Sequence, residues 1–202
     1  MSFPIAVLVS GEGTNLQAIL DSASDGVEVV GVASSKSGAR GLERAAEAGV
    51  EGAAFEIASY EDRPARDLAL GDWLEERRVD LLVLAGFMEI LGSEFIRRFE
   101  GKIINVHPSL LPAFPGVKAI EKAVEHGVKI TGVTVHFVDE GVDSGPIILQ
   151  EALDLPYSRD IGEIEERIHG IEHRLLPRAV SLIAAGSVRP DPDNPRVVQI
   201  EE

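Results

Sequence analysis

Short apolar runs alternate with longer amphipathic segments along the chain, which predicts strands that alternate with helices. The runs Ile5–Val9 and Leu81–Ala85 are almost continuously apolar, as is typical of parallel strands covered on both faces. The predicted strands are Ile5–Val9, Val27–Ala33, Ala53–Ile57, Leu81–Ala85, Ile103–Val106, Thr131–Val138 and Pro146–Leu153. The predicted helices are Leu16–Leu20, Gly41–Ala48, Arg63–Arg78, Val117–His126 and Ile161–Ala185.

This order of elements predicts an α/β fold with a doubly wound, mostly parallel and twisted sheet. The runs Thr131–Val138 and Pro146–Leu153 are joined by a short loop, whereas a parallel return would need a longer crossover. We therefore predict that these two strands form an antiparallel pair. A single domain is predicted over residues 1–187. Residues 188–202 are rich in proline and acid and are expected to form a loosely attached extension.

The charge balance limits what this chain can bind. Its 202 residues include 34 acidic and 19 basic side chains, which give a formal net charge of -15. Such a surface repels phosphate backbones, so nucleic acid is an unfavourable partner. An anionic small substrate meets the same repulsion, unless a helix N-terminus and nearby basic residues attract it locally.

The absence of cysteine excludes a group of functions. Without thiols the chain has no disulfide scaffold, no thiolate nucleophile and no cysteine-ligated metal. No apolar stretch approaches the roughly 20 residues of a membrane span, and the start lacks the basic region of a signal peptide. A cytoplasmic location without a membrane partner is therefore expected.

The turn after the first strand, Ser10–Asn15 (SGEGTN), is the first candidate site. Two glycines allow a tight turn, and the following helix presents free N–H groups that favour a phosphate. No Gly-Lys-Ser/Thr follows and a third glycine is missing, so the turn is neither a Walker A loop nor a dinucleotide fingerprint. The alternative is a plain strand-to-helix turn capped by Thr14 or Asn15.

Asn105 and His107 form the second candidate site, at the end of a strand that enters a proline-rich loop. Residues two apart in a strand point to the same face, so an amide donor and an imidazole are predicted to face one developing oxyanion. His107 is also able to move a proton near neutral pH. The alternative is that His107 only satisfies a backbone group at the strand end.

The loop of residues 139–145 (DEGVDSG) lies between two apolar strands and holds three acids. A carboxylate of this loop beside His107 would favour the imidazolium and raise the pKa of His107. The alternatives are a solvated turn, or a calcium site that lacks the EF-hand spacing. His136, next to the loop, is a candidate further polar member of this site, but its place on an apolar strand favours a structural role first.

Four segments together strongly resemble the phosphoribosylglycinamide formyltransferase family of purine biosynthesis. They are SGEGTNLQAIL, LAGFMEIL, INVHPSLLPAFPG and VTVHFVDEGVDSGPIILQ, and the similarity extends from about Ile5 to Pro177. The combination of the HPSLLP segment with the later acidic loop makes the resemblance specific. It implies the formyltransferase fold and transfer of a formyl group from the co-substrate 10-formyltetrahydrofolate to the amine of glycinamide ribonucleotide, without a metal.

The resemblance also implies roles for individual residues. Asn105 is implied to bind folate and the formyl oxygen, His107 to be the general acid, and Asp143 to raise the pKa of His107. The implied ribonucleotide contacts are Gly13, Thr14, Asn15 and Glu172. The implied folate contacts are Arg63, Met88, Glu89, Ile90, Leu91 and Asn105. The family further implies a cis bond between Leu111 and Pro112, and the expected assembly is a monomer or a homodimer.

Three positions depart from the family pattern and concern recognition of the folate tail. Glu89 and Ala113 stand where a basic residue is common, and His169 stands where glutamine is common. Three rival functions share part of the pattern. Methionyl-tRNA formyltransferase needs a positive surface for tRNA, and formyltetrahydrofolate hydrolase carries a regulatory domain before the first strand. A non-catalytic sensor would bind the ribonucleotide without formyl transfer.

Overall fold

The computed structural model describes residues 2–22, 26–156 and 160–201. Seven strands form one sheet in the order β3-β2-β1-β4-β5-β6-β7. β1 pairs in parallel with β2 and β4, whereas β6 and β7 are antiparallel, so the predicted fold class is confirmed. The strands are β1 (Phe3–Val9), β2 (Val27–Ser34), β3 (Gly52–Ala54), β4 (Leu81–Leu84), β5 (Ile103–His107), β6 (Ile130–Phe137) and β7 (Ile147–Asp154).

Six α-helices accompany the sheet in the described part of the chain. They are α1 (Thr14–Asp21), α2 (Arg40–Glu47), α3 (Arg63–Glu76), α4 (Ser93–Arg98), α5 (Ala119–His126) and α6 (Ile161–Ala184). Among the residues described, no helix has both the length and the apolar character that crossing a membrane requires.

The chain divides into two compact units, Met1–Ile104 and Asn105–Glu202, and the division falls within β5. In the first unit, β1 and β4 are the buried centre: Ile5–Val9 are fully buried and Leu81–Leu84 nearly so. The strand order reverses between β1 and β4. Ligands of doubly wound folds bind beyond the carboxyl ends of strands at such a reversal. The turn after β1 and the segment after β4 therefore occupy the favoured place for a ligand.

In the second unit, α6 packs on β6 and β7. Its buried positions recur with the spacing of one helix face. They are Ile164, Ile168, Ile171, Glu172, Leu175, Leu176, Ala179 and Val180. A single carboxylate, Glu172, thus lies on an otherwise apolar buried face.

Some predicted boundaries differ from the structure. The strand predicted at Ala53–Ile57 ends at Ala54, and Ile57 begins a short 3₁₀ turn instead. The helix predicted from Val117 begins at Ala119, because Lys118 adopts a left-handed backbone with φ of 60°. The pattern missed α4 altogether, since six residues with only two buried apolar side chains are too short for a helical period.

The described part of the predicted C-terminal extension is folded. β8 (Val188–Pro190) pairs antiparallel with β9 (Val198–Ile200). Within the connecting turn, the Asp191 carboxylate accepts hydrogen bonds from two backbone N–H groups and from Gln199. Residues 188–201 are therefore more structured than their composition predicts. The division into a domain over residues 1–187 and an extension over 188–202 stays a prediction.

Candidate active site

Asn105, His107 and Asp143 lie in one partly buried cluster in the second unit. Asn105 and His107 alternate on β5 and face the same carboxylate, as their spacing predicts. Asn105 Nδ2 donates to Asp143 Oδ1 over 3.3 Å, and His107 Nδ1 lies 3.2 Å from Asp143 Oδ2. The side chain of His107 is 6% exposed and that of Asp143 is 14% exposed. The acidic loop between β6 and β7 thus places one carboxylate against the amide and the imidazole.

His136 is a fourth member of this cluster. Its Nδ1 donates to the Phe137 carbonyl over 2.7 Å, so in the neutral ring Nε2 is an acceptor. Asn105 Nδ2 supplies the hydrogen for that acceptor over 3.2 Å. His136 Nε2 also lies 3.6 Å from Asp143 Oδ1. The two N–H groups of the Asn105 amide are therefore directed at His136 and Asp143. Because both partners are acceptors, the amide nitrogen rather than the amide oxygen faces them.

The His107 ring lies between two acceptors. Its Nε2 donates to the Phe114 carbonyl over 2.9 Å, while its Nδ1 faces the Asp143 carboxylate. A neutral imidazole carries one proton, so in either tautomer one of these contacts lacks a hydrogen. Only the imidazolium donates to both. The hydrogen-bond geometry therefore favours a second proton on His107.

Burial opposes that second proton. It lowers the pKa of His107 below its ordinary value, and the raising effects of the Phe114 carbonyl and the Asp143 charge do not compensate. His136 and Lys122 lower the pKa further. The predicted raising effect of Asp143 on the pKa of His107 is present, but burial outweighs it. Burial thus favours the neutral ring of His107 in the free protein.

Asp143 is ionised throughout the physiological range. Burial acts to raise its pKa, but the proximity of His136, a hydrogen bond from the Gly116 N–H over 2.7 Å and the charge of His107 lower the pKa to about 2. The Asn105 amide adds its own hydrogen bond to this carboxylate. The carboxylate is a fixed negative charge rather than a proton carrier.

The two residues that face the His107 ring have a backbone conformation that L residues rarely adopt. Phe114 has φ of 52° and Asp143 has φ of 50°. A non-glycine residue in this region costs of order 1–3 kcal/mol and is found mostly at functional sites. Gly145 supports the acidic loop, since a Cβ there would collide with the Phe137 carbonyl. The loop thus holds Asp143 in a conformation that the chain would otherwise avoid. The Leu111–Pro112 bond is cis, as the resemblance implies.

We expect acid to destabilise the protein through Asp143. Its pKa of about 2 lies below the ordinary value of 3.8, so its stabilising effect is complete above pH 4 and is lost as the pH falls towards 2. The loss is about 2 kcal/mol of unfolding free energy. Urea unfolding of wild type and Asp143→Asn at pH 5 and pH 2 measures it. Equal losses in both proteins would contradict the assigned role.

The turn after β1 is capped differently from the predicted alternative. Gly13 is the N-cap of α1, with φ of 69° and without a side-chain cap, so the prediction of Thr14 or Asn15 as the cap was wrong. A Cβ on Gly13 would lie 2.6 Å from the Gly41 Cα, so the backbone angle and the close approach both require glycine. The N–H groups of the first helical turn point out of α1 at this place.

The predicted folate contacts other than Asn105 lie in the first unit. Arg63 begins α3 and lines a cavity of about 330 Å³ together with the start of α4. In the segment after β4, Met88 and Ile90 are 73% and 65% exposed, whereas Leu91 is buried. Glu89 is partly exposed. Two apolar side chains thus stand open to solvent on the segment that the resemblance assigns to folate.

The sequence pattern missed one buried polar feature and ranked another low. His136, a possible polar member of the site that was interpreted as structural first, lies near both Asn105 and Asp143. Arg66 was overlooked, although its spacing from Leu70 and Leu74 puts it on the buried face of α3 and gives a usable signal. Within the described residues, no group of three or more His, Asp or Glu side chains is arranged to hold a metal ion.

A mostly parallel α/β sheet that brings a partly buried amide, imidazole and carboxylate together suits an enzyme that moves protons at a small-molecule site. The family model for formyl transferases matches residues 4–180, so this chain belongs to the formyl transferase family. The resemblance of the four sequence segments is thereby confirmed.

Individual relatives agree with this family. The chain is 42% identical to the phosphoribosylglycinamide formyltransferase of Haemophilus influenzae, over 92% of this chain and 89% of that protein. It is 44% identical to the crystal structure of glycinamide ribonucleotide transformylase 1 from Symbiobacterium toebii, with a TM-score of 0.95 over 100% of this chain and 95% of that one.

Longer relatives contain the same region. The chain is 44% identical over 188 residues to the trifunctional purine biosynthetic protein adenosine-3 of Bos taurus. The match covers 92% of this chain but only 19% of that protein, so the chain spans about a fifth of its length.

Proposed function

We propose that this chain transfers the formyl group of 10-formyltetrahydrofolate to the amine of glycinamide ribonucleotide, in purine biosynthesis. One observation carries the proposal: a protein of the formyl transferase family holds His107 between Asp143 and the Phe114 carbonyl, next to the Asn105 amide. This cluster supplies a proton carrier and an oxyanion donor side by side. The partners are two small molecules, and the assembly is a monomer or a homodimer.

The first step in this proposal is proton uptake by His107. The amine arrives as an ammonium ion and must lose a proton before it attacks. Burial favours the neutral ring of His107, which is therefore suited to receive that proton. In the tautomer whose Nδ1–H donates to Asp143, the unprotonated Nε2 accepts the proton, and the resulting imidazolium directs Nε2–H at the substrate rather than at the Phe114 carbonyl.

The second step is direct attack of the neutral amine on the formyl carbon. A new C–N bond forms, and the carbonyl oxygen becomes an oxyanion that the imidazolium and Asn105 Nδ2 stabilise. The Nδ2 bonds to His136 and Asp143 are long, at 3.2 and 3.3 Å, so exchanging one for the oxyanion costs little. The bond to the folate nitrogen then breaks. His107 gives that nitrogen its proton, and the extra proton of the new amide nitrogen leaves to water.

The ribonucleotide phosphate is assigned to the N-terminus of α1, at Gly13, Thr14 and Asn15. Arg44 supports this assignment, because its Nε donates to the Glu12 carbonyl over 2.8 Å and brings a cation to the turn. Such a local charge is needed where the net charge is -15. Glu172 is assigned to the ribonucleotide as well. Folate is assigned to Arg63 and to the segment Met88–Leu91, with Asn105.

One assay tests the proposed function against its rivals. Purified protein is mixed with 10-formyltetrahydrofolate, and folate absorbance is followed with and without glycinamide ribonucleotide. Turnover only in the presence of the ribonucleotide is the expected result. Turnover without it would indicate a hydrolase, and tight ribonucleotide binding with no turnover would indicate a sensor. Turnover with initiator methionyl-tRNA as the acceptor would indicate the tRNA enzyme.

We expect substitutions in the first turn to act on one substrate only. Thr14→Ala and Asn15→Ala should weaken ribonucleotide binding about tenfold, since each alters a contact at the helix N-terminus. Binding of formyl folate should change less than about twofold, a difference of only a few tenths of a kcal/mol. Calorimetric titration of each ligand measures both affinities. A larger loss of formyl folate binding than of ribonucleotide binding would show that the phosphate binds elsewhere on the chain.

A further inference from the structure

The segment Phe87–Gly92 has an unusual combination of properties. It begins after Ala85 and Gly86, the two residues that follow β4, and has no helical or strand conformation. Met88 and Ile90 expose most of their apolar side chains to solvent. An irregular segment keeps one conformation only where other groups bind its backbone. The way in which this backbone is held therefore decides where the two apolar side chains stand.

Three side chains hold the backbone of this segment, and all come from other elements of the first unit. Ser10 Oγ accepts from the Met88 N–H over 2.8 Å. On α3, Arg66 Nη2 donates to the Ile90 carbonyl over 3.2 Å. The neighbouring Asp67 Oδ2 accepts from the Gly92 N–H over 2.7 Å. Two of the three anchors are thus consecutive residues of one helix.

Arg66 and Asp67 are also paired with each other. Arg66 Nε lies 2.6 Å from Asp67 Oδ1, and the two side chains are 0% and 7% exposed. One guanidinium nitrogen, Nη1, is buried and has no hydrogen-bond partner among the described residues. The Phe87 ring lies 5.9 Å from the guanidinium carbon. The charged pair is therefore almost fully buried, and one of its hydrogen-bond donors has no partner among the described residues.

Such a pair is a poor way to stabilise a fold. Desolvation of two charges offsets most of their attraction, and apolar residues of similar volume are often at least as stable. The pair does fix the positions of its neighbours. The planar guanidinium of an arginine donates hydrogen bonds to a carboxylate and to a carbonyl at fixed angles. Two apolar residues could not form the hydrogen bonds of Arg66 and Asp67 to the backbone of this segment.

We propose that Arg66 and Asp67 are positioning residues for formyl folate. They fix the segment Phe87–Gly92 in the conformation that presents Met88 and Ile90 to the folate. This inference rests on the proposed function, which assigns that segment to folate. Neither residue needs to touch the ligand, since each acts through the backbone that it binds.

Arg66→Lys is the sharpest test of this proposal. Lysine keeps the positive charge beside Asp67, but a single ammonium does not reproduce the fork that also reaches the Ile90 carbonyl. The expected result is a KM for formyl folate raised at least about fivefold, with kcat and the KM for the ribonucleotide changed less than about twofold. The exchange rate of the Gly92 amide hydrogen should also rise at least about fivefold, while the amide of Leu70 stays protected.

Arg77→Lys is the matched control. Arg77 caps the same helix, donates to the Trp73 carbonyl, pairs with Glu51 and likewise has a buried Nε without a partner among the described residues. It forms none of the hydrogen bonds that hold the Phe87–Gly92 backbone. Its conversion to lysine should leave the KM for formyl folate and the exchange of the Gly92 amide unchanged.

A second variant separates positioning from folding. Arg66→Met combined with Asp67→Leu removes both charges together, so neither is left buried and unpaired. We expect the melting temperature to stay within about 5 °C of wild type. The KM for formyl folate should nevertheless rise at least as much as in Arg66→Lys. A stable double variant with a wild-type KM for formyl folate would overturn the proposal.

Ribonucleotide-dependent turnover tests the proposed function, and exchange of the Gly92 amide hydrogen tests the positioning role, so either hypothesis can fail without the other. If wild type shows no ribonucleotide-dependent formyl transfer, the proposed function fails, whereas amide exchange still tests the positioning of the segment. If Arg66→Lys leaves the Gly92 amide and the KM for formyl folate unchanged, the positioning role is refuted. A parallel rise of both KM values with faster exchange at Leu70 would also refute it, because that pattern indicates general loosening of α3.

Discussion

Replacement of His107 by alanine is expected to lower turnover at least about a hundredfold, within the usual contribution of a general acid–base group. The substitution removes the group that receives the proton of the attacking amine and returns it to the leaving folate nitrogen. It also leaves Asp143 without the ring that faces its Oδ2. Turnover with both substrates saturating measures the effect, and a thermal melt of the same sample shows whether the variant is folded.

His126→Ala is the matched control for this experiment. His126 is an exposed histidine at the end of α5, where its ring meets the edge of the Phe114 ring. Its removal should leave turnover close to wild type. A folded His107→Ala variant with near wild-type turnover would show that His107 is structural, which is the alternative left open by the sequence.

Asp143→Asn is expected to lower turnover by a similar factor, at least about a hundredfold. The variant keeps the shape of the side chain but removes the negative charge opposite His107 Nδ1. Because burial already lowers the pKa of His107, loss of the Asp143 charge lowers it further. The imidazolium on which the second step depends then becomes rare. The affinity of either substrate should change much less than turnover.

Glu140→Gln in the same loop provides the control for charge. It neutralises an acid two residues from the loop centre, and no contact of the His107 ring involves it. The double variant His107→Ala with Asp143→Asn adds a second check. If Asp143 acts through His107, the double variant should be no slower than His107→Ala, because groups that act as one unit are not additive. A much slower double variant would mean that Asp143 has a role of its own.

The net direction of the pKa shift of His107 could not be read from the sequence, because it depends on burial. Spacing placed Asn105 and His107 on one face, and the acidic loop supplied the carboxylate that both of them meet. The sign of the net pKa shift depends on burial, and burial of one side chain is the sum of many packing contacts. The same holds for Arg66, whose charge favours the surface although it is fully buried.

Sequence alone was sufficient for the features that local pattern encodes. Apolar runs with turn signals predicted the seven strands of the sheet and the antiparallel pair, and the two-residue spacing predicted the shared face of Asn105 and His107. The tertiary structure alone decided which distant groups meet. It directed both N–H groups of Asn105 at His136 and Asp143, set the Phe114 carbonyl against His107, and buried Arg66 under the segment that it holds. The physical reason is that the hydrophobic period predicts only which face of a strand or helix a residue lies on. Its hydrogen bonds and its desolvation depend on the groups that pack against that face.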